Sequence, residues 1–237
     1  MKIDVMISAA DIKPERLKNK VVVVIDVLRA TTVMITALSN GCDKVIPVRE
    51  IEDALDIANK NRHNCLLGGE RQGLKIEGFD FSNSPLDYTG EVVKGKTLIM
   101  TTSNGTKAIK NSEEAERIFI AAMINGKAVA EKLVELDKDV VFVNAGTDGE
   151  FSMDDYITSG YIINCIKSIE DSKCELTDMA MTSEYIYKAN PGIISFVKDA
   201  LHYKRLKKLG YYEDLRYCFT KDIINMVPEY KNGRIQS

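Results

Sequence analysis

Histidine is nearly missing from this chain, with two in 237 residues. His63 sits at the polar end of a helical pattern in "NKNRHNC" and reads as solvated. His202, in "DALHYKRLKKLG", lies beside Lys204, Arg205, Lys207 and Lys208, a stretch that reads as a wet basic face. A metal centre built on two or three imidazoles is therefore disfavoured, and no Ser-His-Asp arrangement is evident. The cysteines (Cys42, Cys65, Cys165, Cys174 and Cys218) are odd in number, widely spaced and without a C-x-x-C pair. That pattern argues for reduced thiols in a cytoplasmic protein rather than a disulfide framework or structural zinc. No run approaches the ~18–20 apolar residues of a membrane span. The opening "MKIDVMISAADIKPERL" is charged within its first four residues, so no signal peptide is expected. There is no basic excess either: with a net charge of −3, neither nucleic acid nor an anionic membrane is an expected partner.

What recurs is a unit of apolar strand, short polar loop and helical pattern. It appears at residues 21–41 ("VVVVIDVLRATTVMITALSNG"), 96–112 ("KTLIMTTSNGTKAIKNS") and 138–169 ("KDVVFVNAGTDGEFSMDDYITSGYIINCIKSI"). Shorter strands are predicted at 44–48, 65–68 and 117–122, with amphipathic helices in "IEDALDIANKN" and "NGKAVAEKLVEL". This alternation predicts an α/β fold, helices covering both faces of a mostly parallel or mixed sheet. The chain reads as one domain over residues 1–237, with a core to about residue 170 and a mainly helical extension over 171–237.

Ligands of open α/β sheets bind beyond the carboxyl ends of the strands, and the unusual polar residues gather there. Asp26, Arg29, Thr31 and Thr32 follow the first strand. Thr101, Thr102, Ser103, Asn104, Gly105 and Thr106 follow the second, and Asn144, Gly146, Asp148, Asp154 and Asp155 follow the third. "TTSNGT" offers hydroxyls and backbone amides to an anion, although a plain turn with a helix cap asks for the same residues. A fourth stretch, "GGERQGLKIEGFDFSNSP" at 68–85, reads as a long glycine-rich loop that carries Glu70, Arg71, Asn83 and Ser84.

Carboxylates without imidazole suit a hard divalent cation, Mg²⁺ above all. Arginines nearby suit a substrate with several negative groups, and phosphoryl transfer to water needs mainly positioning and charge neutralisation. Asp26 at the end of a buried strand suits either a metal ligand or a nucleophile.

Together "VVVIDVLRATT", "GGERQGLKIEGFDFSNSP", "TTSNGT" and "LHYKRLKKLGYYEDLRYCFTKDIINMVP" resemble, in order and over nearly the whole chain, the 2-phosphosulfolactate phosphatase family. The resemblance implies a Mg²⁺-dependent phosphatase with a three-layer α/β/α fold. Its reaction would release phosphate from 2-phospho-3-sulfolactate, a step towards coenzyme M. Asp26, Arg29, Glu70, Arg71, Asn83, Asn104 and Thr106 fall on matching positions. The chain departs from the family pattern where Asp154-Asp155-Tyr156 replaces Glu-Asp-Glu, where Gln72-Gly73 replaces two glycines, and where Ser103 replaces a threonine.

These readings converge on a cytoplasmic phosphoric monoester hydrolase whose partner is a small anionic phosphorylated substrate. Asp26, Arg29, Glu70 and Arg71 are the expected catalytic residues. Asp26, Glu70 and Asp155 are the expected Mg²⁺ ligands. Thr31, Thr32, Asn83, Ser84, Thr101, Thr102, Asn104, Gly105 and Thr106 are expected to bind substrate. Two rival readings stay open on sequence: a non-catalytic binder of a phosphorylated metabolite, and a haloacid-dehalogenase-like phosphatase, which wants a second aspartate where Leu28 stands. A homo-oligomer is compatible with the sequence.

Overall fold

Five consecutive β-branched residues, Val21–Ile25, leave no polar face for solvent, and in the computed structural model each of them is fully buried. The structure describes residues 1–169 and 173–237, so the boundary expected near residue 170 lies outside the described residues. The strands are β1 (Lys2–Met6), β2 (Val21–Ile25), β3 (Lys44–Val48), β4 (Cys65–Arg71), β5 (Leu74–Lys75), β6 (Thr97–Thr101), β7 (Arg117–Ala121), β8 (Val140–Asn144), β9 (Glu175–Leu176), β10 (Glu229–Lys231) and β11 (Arg234–Gln236). The helices are α1 (Ala30–Ser39), α2 (Ile51–Asn59), α3 (Gly90–Val93), α4 (Gly105–Asn111), α5 (Gly126–Leu136), α6 (Met153–Ser168), α7 (Asp178–Ala189), α8 (Ile193–Val197), α9 (Leu201–Lys208) and α10 (Tyr212–Cys218).

Among the described residues the sheet runs β5-β4-β6-β3-β11-β10-β7-β2-β8-β1-β9. It is mixed, with helices on both faces, as a three-layer α/β/α fold requires. Two parallel blocks, β4-β6-β3 and β7-β2-β8-β1-β9, are joined by the antiparallel β10–β11 hairpin. The blocks read as near-continuous Val/Ile/Leu runs because both of their faces are covered.

The hairpin is the main departure from the expected helical extension. Residues 178–218 do form four helices, but the segment after them returns to the centre of the sheet. Its turn is Asn232-Gly233 with both residues at positive φ (52° and 80°), the strongest short hairpin signal a sequence carries. The hairpin pairs with the amino-terminal and middle residues of its neighbours: Glu229 and Tyr230 face Phe119 and Ile118, and Ile235 faces Val45. Closer to the carboxyl ends, α4 packs against both β3 and β2. The two blocks are thus bridged by strands at one end and by a helix at the other, and the polar loops gather at the helix end.

Candidate active site

Asp26 is the first residue beyond β2, 7% exposed. Its Oδ1 accepts the Ala30 amide at 3.2 Å, at the start of α1. Burial pushes its carboxyl up to about 7, with the charges of Glu70 and Asp154 adding to the rise and the Ala30 amide opposing it. Gly105 brings the second polar loop onto it. A β-carbon there would lie 2.7 Å from both Asp26 Oδ2 and the Ala30 β-carbon, so only glycine lets α4 begin this close.

Glu70 and Arg71 end strand β4 and turn with β5; they do not sit in the long loop expected of them. Gly69, just before, sits so close to β6 that a β-carbon would lie 2.0 Å from the Thr101 carbonyl oxygen. Glu70 ties two loops together: Oε1 accepts the Ser103 amide at 2.8 Å and Oε2 the Gly73 amide at 2.7 Å. Asn83 is buried beside them, and its Oδ1 has no hydrogen-bond partner among the described residues. An amide oxygen left unpaired in a low-dielectric site is costly unless something binds it.

A small cavity of about 20 Å³ draws these groups together, with Asp26, Glu70, Asn83, Ser103 and Asn104 in its lining. Arg29, Asp148, His202, Arg205 and Leu206 line the rest, the last three delivered by α9. Such a volume admits about one water-sized guest. The walls carry two arginines, and each already has an acid. Arg29 pairs with Asp214 of α10, stacks on Tyr211 at 4.0 Å and donates to the Gly73 carbonyl at 3.3 Å. Arg205 pairs with Asp148 at 2.7 Å, and its hydrogen bond, helped by its charge, holds that carboxyl below the usual range. Among the described residues, neither Asp26 nor Glu70 forms an ion pair with a lysine, arginine or histidine side chain.

Several residues singled out from sequence serve the loops themselves. Thr31 Oγ1 donates to the Asp26 carbonyl at 2.9 Å and accepts the Asp26 amide at 3.0 Å, and Thr32 donates to the Val27 carbonyl at 2.8 Å. Thr102 and Thr106 cap one another across "TTSNGT". Thr101 donates to the Arg49 carbonyl and accepts from Arg71 at 2.9 Å, while Ser84 donates to Asp214 at 2.8 Å. Arg71 spends its other contacts on the Glu70 and Arg49 carbonyls and does not line the cavity. These hydroxyls shape the loops.

Asp155, expected with Asp26 and Glu70 as a metal ligand, does not line the cavity either. Its oxygens accept the Val27 amide at 2.9 Å and the Gly146 amide at 3.1 Å. Burial, then the charges of Asp154 and Asp26, push its carboxyl well above the ordinary range. Among the described residues, no three His, Cys, Asp or Glu side chains cluster as a ready metal site.

Sequence reasoning missed four contributors. His202 and Arg205 read as a wet basic face, yet α9 turns them over the cavity; burial lowers the His202 imidazole, which lies 3.4 Å from Thr147 Oγ1. Asp214 and Tyr211 sit within an acidic-aromatic stretch, "GYYEDLRY", whose only signal was an aspartate amid apolar spacing.

The profile describing 2-phosphosulpholactate phosphatase matches residues 6–233. A protein of Clostridium acetobutylicum called probable 2-phosphosulfolactate phosphatase is 61% identical over 235 residues, covering 99% of this chain and 100% of that one. Proteins with the same description from Clostridium tetani and Clostridium perfringens are 58% and 52% identical, covering 100% of this chain and 100% and 96% of their own lengths.

Proposed function

The chain belongs to the 2-phosphosulpholactate phosphatase family, and from that premise we infer how it works. It is a phosphoric monoester hydrolase that releases phosphate from 2-phosphosulfolactate and leaves 3-sulfolactate. The family implies metal dependence, and the residues present favour Mg²⁺. Asp26 and Glu70, which form no ion pair among the described residues, share a cavity with Asn83, whose Oδ1 has no partner among them. An all-oxygen donor set of this kind suits a hard cation that keeps several waters. The lining sets three carboxylates, Asp26, Glu70 and Asp148, against two arginines that are already paired, so a phosphate dianion beside Asp26 and Glu70 would be repelled without a further cation, and this imbalance carries the reading.

Asp26, Glu70 and Asn83 would hold the ion, with Asp155 fixing the backbone of Val27 and Gly146 around them. When bound, Mg²⁺ neutralises phosphate oxygens. The chain's own groups do the rest. Asn104 and Ser103 line the cavity and would orient the phosphate. Arg29, held by Asp214 and Tyr211, offers a fixed edge of positive charge. Leu28, Leu206 and His202 limit water around the ester, which strengthens every charge interaction inside. The bond broken is that between phosphorus and the C2 oxygen, with water supplying the new oxygen.

No helix among the described residues is long and apolar enough to cross a membrane. All five cysteines are unpaired, which supports a reducing, cytoplasmic setting. The test is phosphate release from 2-phosphosulfolactate by the purified protein, with and without Mg²⁺ after chelation. Metal-restored turnover that Asp26→Asn and Asn83→Ala each reduce at least tenfold is the expected result; turnover indifferent to chelation would remove the metal from the account.

A further inference from the structure

The small cavity does not end at α9. It shares Ser103, Asn104 and Asp148 with an outer hollow of about 380 Å³, so the two adjoin across these residues. The inner part accommodates one small guest; a three-carbon substrate with three anionic groups must extend outward. Lys107, two residues into α4 beyond Gly105, lines the outer hollow, and it has no hydrogen-bond or ion-pair partner among the described residues.

The two arginines of the inner wall differ in how tightly their partners hold them. Arg29 and Asp214 are 1% and 5% exposed, so separating them would strand a buried charge. Arg205 and Asp148 are 34% and 55% exposed, a pair worth little that exchanges partners at small cost. Asp148 borders both hollows, which places Arg205 at their junction. The inner cavity therefore carries Asp26 and Glu70 together with the exchangeable Arg205, whose partner Asp148 also borders the outer hollow, and the outer hollow carries the unpartnered Lys107.

Resting on the phosphatase reading, we propose that Lys107 and Arg205 form the subsite for the substrate's sulfonate and set the preference for a sulfonated over an unsulfonated 2-phospho acid. The sulfonate sulfur stands one bond farther from C2 than the carboxylate carbon does. With the phosphate in the inner cavity, it is the group that reaches the outer hollow. A sulfonate stays anionic at every working pH, and its three oxygens can be shared between an ammonium and a guanidinium. On binding, Arg205 exchanges Asp148 for the sulfonate, and Asp148 turns to solvent.

The test compares kcat/KM for 2-phosphosulfolactate and for 2-phospholactate, which lacks only the sulfonate, in the wild type, Lys107→Ala and Arg205→Ala. The ratio should fall about 10–100-fold in each variant, the range expected for a lost charged hydrogen bond, and Lys107→Arg should keep most of it. An unchanged ratio overturns the proposal, including the case in which both substrates suffer equally because the subsite takes the carboxylate. Calorimetric binding of 3-sulfolactate and lactate to the Mg²⁺-loaded protein reads the same preference without turnover. Selective loss of 3-sulfolactate affinity in Lys107→Ala supports the subsite even in a protein that hydrolyses neither ester, an outcome that would instead fell the phosphatase reading. Equal affinities in wild type and variant overturn the subsite.

Discussion

Arg29 and Asp214 lie 185 residues apart in the chain and form an ion pair inside the protein, with Ser84 donating to the same aspartate. This pair joins the loop after β2 to α10, so the helical segment that covers the cavity is fastened to the strand end that carries Asp26. Asp214→Ala leaves a buried guanidinium unmatched and should cost about 3–5 kcal/mol in urea denaturation. An Arg29→Met/Asp214→Leu double variant should recover most of that stability while activity stays low. A single variant as stable as wild type would show that water, not Asp214, satisfies Arg29.

Gly105 tests how closely the two polar loops must meet. Gly105→Ala puts a methyl group 2.7 Å from Asp26 Oδ2 and from the Ala30 β-carbon. Overpacking of this kind should cost about 1–3 kcal/mol and displace Asp26. Thermal unfolding and kcat/KM should both fall, and wild-type values for both would mean that α4 can retreat freely.

Asp26 should oppose folding in the metal-free protein. Its carboxyl rises from an ordinary 3.8 to about 7 in the folded state, so between those values the folded chain holds a proton that the unfolded chain has lost. Stability contributed by this group is complete below pH 3.8 and declines as pH climbs towards 7. Asp26→Asn should remove that slope and make the metal-free protein more stable at pH 8, on the order of a few kcal/mol, while abolishing turnover. Denaturation series at pH 5 and pH 8 with chelator present measure both effects; an unaltered slope would contradict the burial argument.

Arg117 and Glu229 give the opposite sign. Arg117 reaches Glu229 with two hydrogen bonds of 2.8 and 2.6 Å and holds its carboxyl below the usual range, tying β10 to β7. That contribution is present above the unfolded carboxylate value of about 4.3 and is lost as pH falls through the lower folded value. Both side chains are 29% exposed, so Glu229→Gln should lower stability by no more than about 1 kcal/mol at pH 7 and by nothing near pH 2. Equal losses at the two pH values would mean that the glutamate's charge is irrelevant to the hairpin.

Much of the architecture was legible because β-branched runs with both faces covered have few other homes. Val21–Ile25, Thr97–Thr101 and Val140–Asn144 all became central strands with polar loops at their carboxyl ends. The gathering of Asp26, Glu70, Asn83 and Asn104 around one cavity also has a sequence signature, since each follows an apolar strand or a glycine turn. What sequence could not express is which polar side chains are already spent. Thr31, Thr32, Thr102 and Thr106 look like ligand donors until the backbone carbonyls and amides they bond are known. Arg71 and Arg29 look alike as guanidinium groups, yet one braces β4 against β6 and the other faces the cavity with an aspartate at its back. His202 and Arg205 were hidden for a different reason: a basic helix reads the same whether its charges face bulk water or a cleft in another part of the fold.

The hairpin at residues 229–236 joins two blocks whose other strands all come earlier in the chain. During synthesis on the ribosome, β4-β6-β3 and β7-β2-β8-β1 can each assemble while the seam between them stays open. A stop codon a few positions before Glu229 would therefore leave every residue around the cavity intact and still yield two half-sheets with exposed edges. Quality-control proteases should clear that product as readily as a chain shortened much earlier.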